Sequence, residues 1–168
     1  DLVAERNSNG PFSSIYDIMR RVNLRSVNKK CLDSLALSGA FDCFTEFNRA
    51  QYFAPNEKGE NFVEQLIKFG SHVQGQKESI QISLFGEEMQ DMILEPKPEK
   101  VQEWNQIEKL EKEREVTGIY ISGHPLDDYT LEFNYFINCP LEKADQIAGQ
   151  LLKMGGMVKD VNLALIHI

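Results

Sequence analysis

Between Ile15 and Phe69 the sequence repeats one arrangement: a polar cap, a short apolar stripe at helical spacing, then a turn. Ile15, Ile18, Met19 and Val22 recur at intervals of three and four. Ser13 or Ser14 stands ahead of them as N-cap, and Asp17 falls in the first turn, where a carboxylate complements the positive end of the helix dipole. Asn28 caps the next stripe, formed by Cys31, Leu32, Leu35 and Ala36, and Gly39 ends it as a left-handed C-cap. Further helices are expected from about Glu46 to Ala54, through Phe47, Ala50 and Phe53, and from Asn61 to Phe69. The expected fold class is mainly α.

The character then changes. Ser71 to Pro98 is polar, weakly periodic and carries Pro96 and Pro98, so it reads as an extended linker. A connecting helix is expected from Val101, with Val101, Trp104, Ile107 and Leu110 on one face, broken at Gly118. Another helix is expected from Leu141 to Leu152, and Gly155-Gly156 then turns into a strand-like end. A lone strand lacks partners for its backbone groups, so the chain reads as a piece of something longer.

Charge separates the two halves. The chain carries a net charge of -8, which taken alone argues against a protein coated in nucleic acid. Yet Arg20, Arg21, Arg25, Lys29 and Lys30 follow one another with no acid among them. From Glu87 to Glu115 ten acids face five bases, so this acidic middle should repel DNA and keep the linker extended. No apolar run approaches the roughly 20 residues of a membrane helix, and the N-terminus has no signal-peptide pattern. Cys31, Cys43 and Cys139 are odd in number, with no CxxC, so a reducing cytoplasm is the expectation and a zinc site is not.

Three constellations could carry chemistry. Short helices joined by a glycine-containing turn can aim backbone N–H groups at a phosphate while nearby Lys and Arg supply charge. Leu32 to Phe41, with Phe47, Arg49 and Ala50 beyond, has that helix-hairpin-helix logic, although only Gly39 stands where two glycines are usual. In the linker, Gln81-Ile82-Ser83-Leu84-Phe85 offers two apolar side chains that an extended peptide could bury in a partner's pocket, with Gln81 at its rim. Ser122, His124, Asp127 and Asp128 lie close together but lack a nucleophile elbow, and His124 ahead of Pro125 reads as a turn residue. No phosphate-binding loop, dinucleotide motif or metal-ligand spacing is present, so no catalytic or metal residue is assigned.

The run Val27 to Leu35, followed by Ser38-Gly39-Ala40-Phe41-Asp42, resembles the region after the fingers in bacterial DNA polymerase III alpha subunits. The run Glu113 to Tyr129, with Gly118 and Ser122-Gly123-His124-Pro125 inside it, resembles that family's segment before its OB domain. The resemblance implies a helix-hairpin-helix duplex-binding domain over residues 1–70 and a linker with a sliding-clamp motif over 71–98. It implies a connecting helix and SGHP segment over 99–135, and the truncated start of an OB β-barrel over 136–168. Leu163 to Ile168 does not look like family sequence.

The same resemblance implies backbone-phosphate contacts by Arg25, Lys29, Lys30, Ser38, Gly39, Ala40 and Arg49, and clamp contacts by Gln81, Ser83, Leu84 and Phe85. The partners it implies are duplex DNA, a sliding clamp and further replisome subunits, without a membrane. It implies no cofactor for this chain; Mg²⁺ is expected in the polymerase domain of the parent, whose metal-binding carboxylates are absent here. The expected role is sequence-independent DNA binding and clamp tethering for processive replication. The alternative is an acidic helical adaptor with no DNA contact.

Overall fold

The computed structural model describes residues 2–82, 94–146, 149, 151–158 and 161, with the side chains of all of these except 77–82, 141, 145 and 146. The chain divides into a first unit, Asp1–Ile121, and a second, Ser122–Ile168. Helices dominate the described residues, and their only β pairing is a bridge between Pro55 and Asn61. No helix among the described residues is long and apolar enough to cross a membrane.

The first unit starts with α1 (Leu2–Asn9), which the periodicity did not announce, and turns at Gly10, whose φ of 83° favours glycine. Helix α2 (Ile15–Arg21) follows. Its N-cap is Ser14, which accepts the Asp17 main-chain N–H at 3.1 Å. Helix α3 (Lys29–Leu37) is capped by Asn28, which accepts the Cys31 N–H at 3.0 Å. Gly39 takes the left-handed conformation at φ 80°. The helix expected over Glu46–Ala54 shrinks to one 3-10 turn, Arg49–Tyr52. Reciprocal caps between Asn48 and Gln51 start this turn, and Pro55 cannot continue it.

Helix α4 (Phe62–Ile82) is the main correction to the expected layout. It starts where expected, at an Asn61–Glu64 capping box, but runs through residues 71–82, which were read as linker. Gly70 does not end it. A Cβ there would lie 2.9 Å from the Met19 carbonyl oxygen and 2.9 Å from Leu24 Cδ1, so glycine lets α4 press against the end of α2. Phe62, Val63, Leu66 and Phe69 on α4 meet Ile15, Ile18, Met19 and Val22 in one core. Tyr16 stands edge-on to Phe47, Phe62 and Phe69, at ring-centroid distances of 6.2, 6.5 and 5.8 Å. Burial pushes the Tyr16 phenol up to about 12, with Glu95 and Glu46 adding to the shift.

Residues 94–104 have no regular secondary structure, yet they do not trail away as a linker. The Tyr16 hydroxyl donates to the Pro96 carbonyl at 2.5 Å. Gln51 Nε2 donates to the Glu99 carbonyl at 3.2 Å, and Asn48 Nδ2 to the Val101 carbonyl at 3.4 Å. Trp104 stacks on Phe53 at 5.7 Å, beneath the Lys112 ammonium. Helix α5 (Gln106–Thr117) begins later than Val101, at a capping box of Asn105 and Glu108. Val101 and Ile107 are exposed, so the expected four-residue apolar face does not form. The buried face of α5 is Leu110 and Glu113, and Gly118 ends the helix at φ 82°.

In the second unit a 3-10 turn, Asp127–Tyr129, leads into α6 (Thr130–Phe136), and a further 3-10 stretch spans Leu141–Gln146. The His124 N–H donates to Asp127 Oδ2 at 2.6 Å, and His124 Nδ1 accepts the Leu126 N–H at 3.2 Å, so His124 fixes the turn after Pro125. Asn138 hooks the following segment, accepting the Lys153 N–H at 2.8 Å and donating to the Leu151 carbonyl at 3.0 Å. Residues 151–158 are not a strand. The rest of the expected terminal strand, including Leu163 to Ile168, lies outside the described residues apart from Val161.

Candidate nucleic-acid interface

The loop joining α2 to α3 is organised by Asn23. Its Oδ1 accepts the Arg25 main-chain N–H at 2.9 Å, and its carbonyl accepts the N–H of Ser26 at 3.1 Å and of Val27 at 3.0 Å. Gln74 of α4 holds the loop from behind, donating from Nε2 to the carbonyls of Met19 and Val22, both at 2.8 Å. Beside the loop lies an open groove of about 770 Å³, whose lining includes Arg20, Asn23, Leu24, Arg25 and Gln74.

The basic run is partly neutralised. Arg21 turns inward, 3.0 Å from Glu5 and 3.0 Å from Asp17, and donates to the Gly10 carbonyl at 3.0 Å. The Asn9 side-chain amide and the Arg21 guanidinium hold the Glu5 carboxyl below its ordinary range. Burial pushes the Asp17 carboxyl up, but the Ser13 N–H and Arg21 outweigh it, and the net shift is downward. Arg20 pairs with Glu95 at 2.5 Å.

Arg25, Lys29 and Lys30 remain exposed, with Lys29 only loosely paired, 3.5 Å from both Asp33 and Glu64. The two lysines begin α3, where the first main-chain N–H groups lack intrahelical acceptors and the dipole is positive. Three exposed cations therefore stand on one loop and the helix start that follows it, an arrangement suited to an extended anion such as a phosphate backbone.

The second hairpin, after α3, behaves differently from expectation. The Ser38 N–H donates to Ser34 O at 3.0 Å, Gly39 N–H to Ala36 O at 3.2 Å, and Ala40 N–H to Leu35 O at 2.9 Å. The Ser38 hydroxyl donates to Leu35 O at 3.0 Å. The left-handed closure of the helix has used these donors, so Ser38, Gly39 and Ala40 are corrected from phosphate contacts to a C-cap.

Arg49 is corrected too. It is 6% exposed, and its guanidinium reaches Asp42 at 2.6 Å and Glu113 at 2.7 Å. These hydrogen bonds raise its pKa above the ordinary arginine value, Asp42 contributing most. A cation so enclosed is a structural strut rather than a surface contact.

Sequence reasoning named residues on both hairpins, and the structure leaves Arg25, Lys29 and Lys30 exposed while Ser38, Gly39, Ala40 and Arg49 are engaged within the fold. Sequence reasoning read Arg20 to Lys30 as a basic cluster but overlooked Asn23 as the residue that folds the α2–α3 loop. Glu113 fell within the acidic run from Glu87 to Glu115, and its spacing of three from Leu110 was the available signal of its burial. Of the expected clamp residues, Gln81 lies in the last turn of α4, whereas Ser83, Leu84 and Phe85 lie outside the described residues. Among the described residues no group of three His, Cys, Asp or Glu side chains could hold a metal ion. They do not fit a two-metal polymerase centre, and no nucleotidyl-transfer step is assigned to them.

Residues 1–52, which contain both hairpins, match the family described as the helix-hairpin-helix motif. Over most of its length the chain is also similar to DNA polymerase III alpha subunits. It is 35% identical to that of Caulobacter vibrioides over 76% of this chain and 10% of the relative. With the Buchnera aphidicola subunit it shares 34% identity over 82% of this chain and 11% of the relative. With that of Borreliella burgdorferi the figures are 38%, 80% and 11%. The chain thus spans about a tenth of the length of these curated relatives.

Proposed function

We propose that this chain, which matches one segment of the DNA polymerase III alpha subunits, grips duplex DNA by its backbone and so serves a DNA-directed DNA polymerase in replication. The observation that carries the reading is the exposure of Arg25, Lys29 and Lys30 on the α2–α3 loop and the start of α3, within the residues that match a helix-hairpin-helix motif. Cations on a rigid hairpin pair with phosphates, which every sequence presents alike, so binding is sequence-independent. The rigidity comes from the side chains of Asn23, Asn28 and Gln74, which hydrogen-bond to the main chain of the loop and of the helix ends beside it.

A second element of the reading is tethering to a sliding clamp through Gln81, Ser83, Leu84 and Phe85. It rests on their residue types and on their place in the chain: α4 is described as far as Ile82, and residues 95–104 are fastened within the first unit. A tether raises effective concentration, which turns weak DNA contacts into sustained ones. The adaptor reading is favoured by one observation, the exposed acids Glu111 and Glu115 on α5.

Salt dependence separates the two. The full 168-residue chain is titrated onto labelled duplexes of two unrelated sequences between about 50 and 200 mM salt, a range in which phosphate contacts weaken steeply. Equal affinities that fall with salt support the DNA reading, and no binding at low salt overturns it.

A further inference from the structure

We infer that Glu95 is a built-in competitor for phosphate at Arg20, so that the first unit carries a further DNA-facing cation that its own chain masks. This inference rests on the DNA-backbone reading above. Arg20 belongs to the unbroken basic run and lines the groove beside the α2–α3 loop, together with Arg25. Its guanidinium lies over the Phe69 ring, 5.3 Å from the centroid, which fixes its direction. Glu95 meets it at 2.5 Å.

The acid reaches Arg20 across 75 residues of sequence because the stretch 94–104 is fastened to the same unit. Tyr16, one helical turn before Arg20, donates to the carbonyl of Pro96, the residue next to Glu95. Gln51, Asn48 and Phe53 then hold Glu99, Val101 and Trp104 in succession. The backbone beside Glu95 is thereby anchored, and the carboxylate is presented to Arg20.

The contact is built to yield. Its side chains are 39% and 43% exposed, so water and salt screen the pair, and an exposed ion pair of this kind contributes little. A phosphate backbone offers Arg20 several anionic oxygens in place of one carboxylate, and a duplex already held by Arg25, Lys29 and Lys30 presents them at high local concentration.

The test is a mutant cycle on the full chain, reading the slope of log affinity against log salt for a labelled duplex. Glu95→Gln is expected to tighten binding about 3- to 10-fold at 50 mM salt and to steepen the slope by about 0.9, the increment of one added phosphate contact. Glu99→Gln, which removes the same charge from the same 94–104 stretch, leaves the slope unchanged. Arg20→Gln alone has little effect, and combined with Glu95→Gln it cancels the gain. Wild-type binding with an unaltered slope in Glu95→Gln overturns the inference alone, as does a gain that survives in the double variant. Absence of wild-type binding overturns both the inference and the DNA reading.

Discussion

Arg49 and Glu113 meet at 2.7 Å inside the first unit, 64 residues apart in sequence. Glu113 is fully buried, and its second carboxylate oxygen accepts the Ile121 main-chain N–H at 3.1 Å. One carboxylate therefore joins the turn after α3 to α5 and to the segment that follows it. Loss of Glu113 strips Arg49 of its buried partner and leaves only Asp42, at the more exposed edge of the guanidinium, to offset the desolvation of the cation. Glu113→Ala is expected to lower unfolding stability by about 3–5 kcal/mol. Urea denaturation checks this, and a loss below about 1 kcal/mol, the scale of an exposed pair, would contradict the buried pairing.

Gly39 stands over the same guanidinium. A Cβ there would lie 2.2 Å from Arg49 Nη2, and φ is +80°. Gly39→Ala combines left-handed strain with a displaced arginine and should cost about 1–3 kcal/mol. Because the Ser38–Ala40 donors face inward, the salt slope of duplex binding should stay at the wild-type value. A slope reduced by a full contact would return this hairpin to the interface.

Gln74 makes the opposite kind of prediction. Gln74→Leu removes two hydrogen bonds to the carbonyls of Met19 and Val22, each worth about 1 kcal/mol. The α2–α3 loop should loosen before the core does. Hydrogen exchange at the Ser26 and Val27 amides is expected to accelerate more than at α4 amides around Leu66, and uniform acceleration would show that Gln74 does not act on the loop.

Stability should fall at alkaline pH. The Tyr16 phenol titrates near 10 when unfolded and is pushed up to about 12 in the fold. Raising the pH through that window deprotonates the unfolded chain first and favours unfolding. At the acid end the sign reverses: Glu5 and Asp17 are shifted downward, so their contribution is present above the ordinary carboxylate range and is lost as pH falls through their lowered values. Thermal melts from pH 8 to 12 on wild type and Tyr16→Phe check the first claim, since the variant should lose part of the alkaline decline and keep the part due to Tyr52, whose phenol is also pushed up by burial.

The starts of α2, α3 and α4 were legible because a cap is a local event: Ser14, Asn28 and Asn61 each bind an N–H three residues ahead. The left-handed Gly39 was legible for the same reason. What escaped was set by distant partners. Gly70 serves a close approach to Met19 that no local pattern records. Residues up to Pro98 look like linker and Val101 like a helix start because the fastenings of 94–104 lie on Tyr16, Asn48, Gln51 and Phe53. The basic cluster was visible, but which of its charges are neutralised was not. Glu5, Asp17 and Glu95 decide that, and Glu95 comes from far along the chain.

The central claim is that Arg25, Lys29 and Lys30 meet the DNA backbone. The most direct measurement is the salt slope of duplex binding for the full chain and for Arg25→Gln/Lys29→Gln/Lys30→Gln. The account predicts a slope shallower by about 2 to 3 in the variant, near 0.9 per lost phosphate contact, with affinity lost alike for unrelated sequences. A variant that binds with the wild-type slope would contradict it.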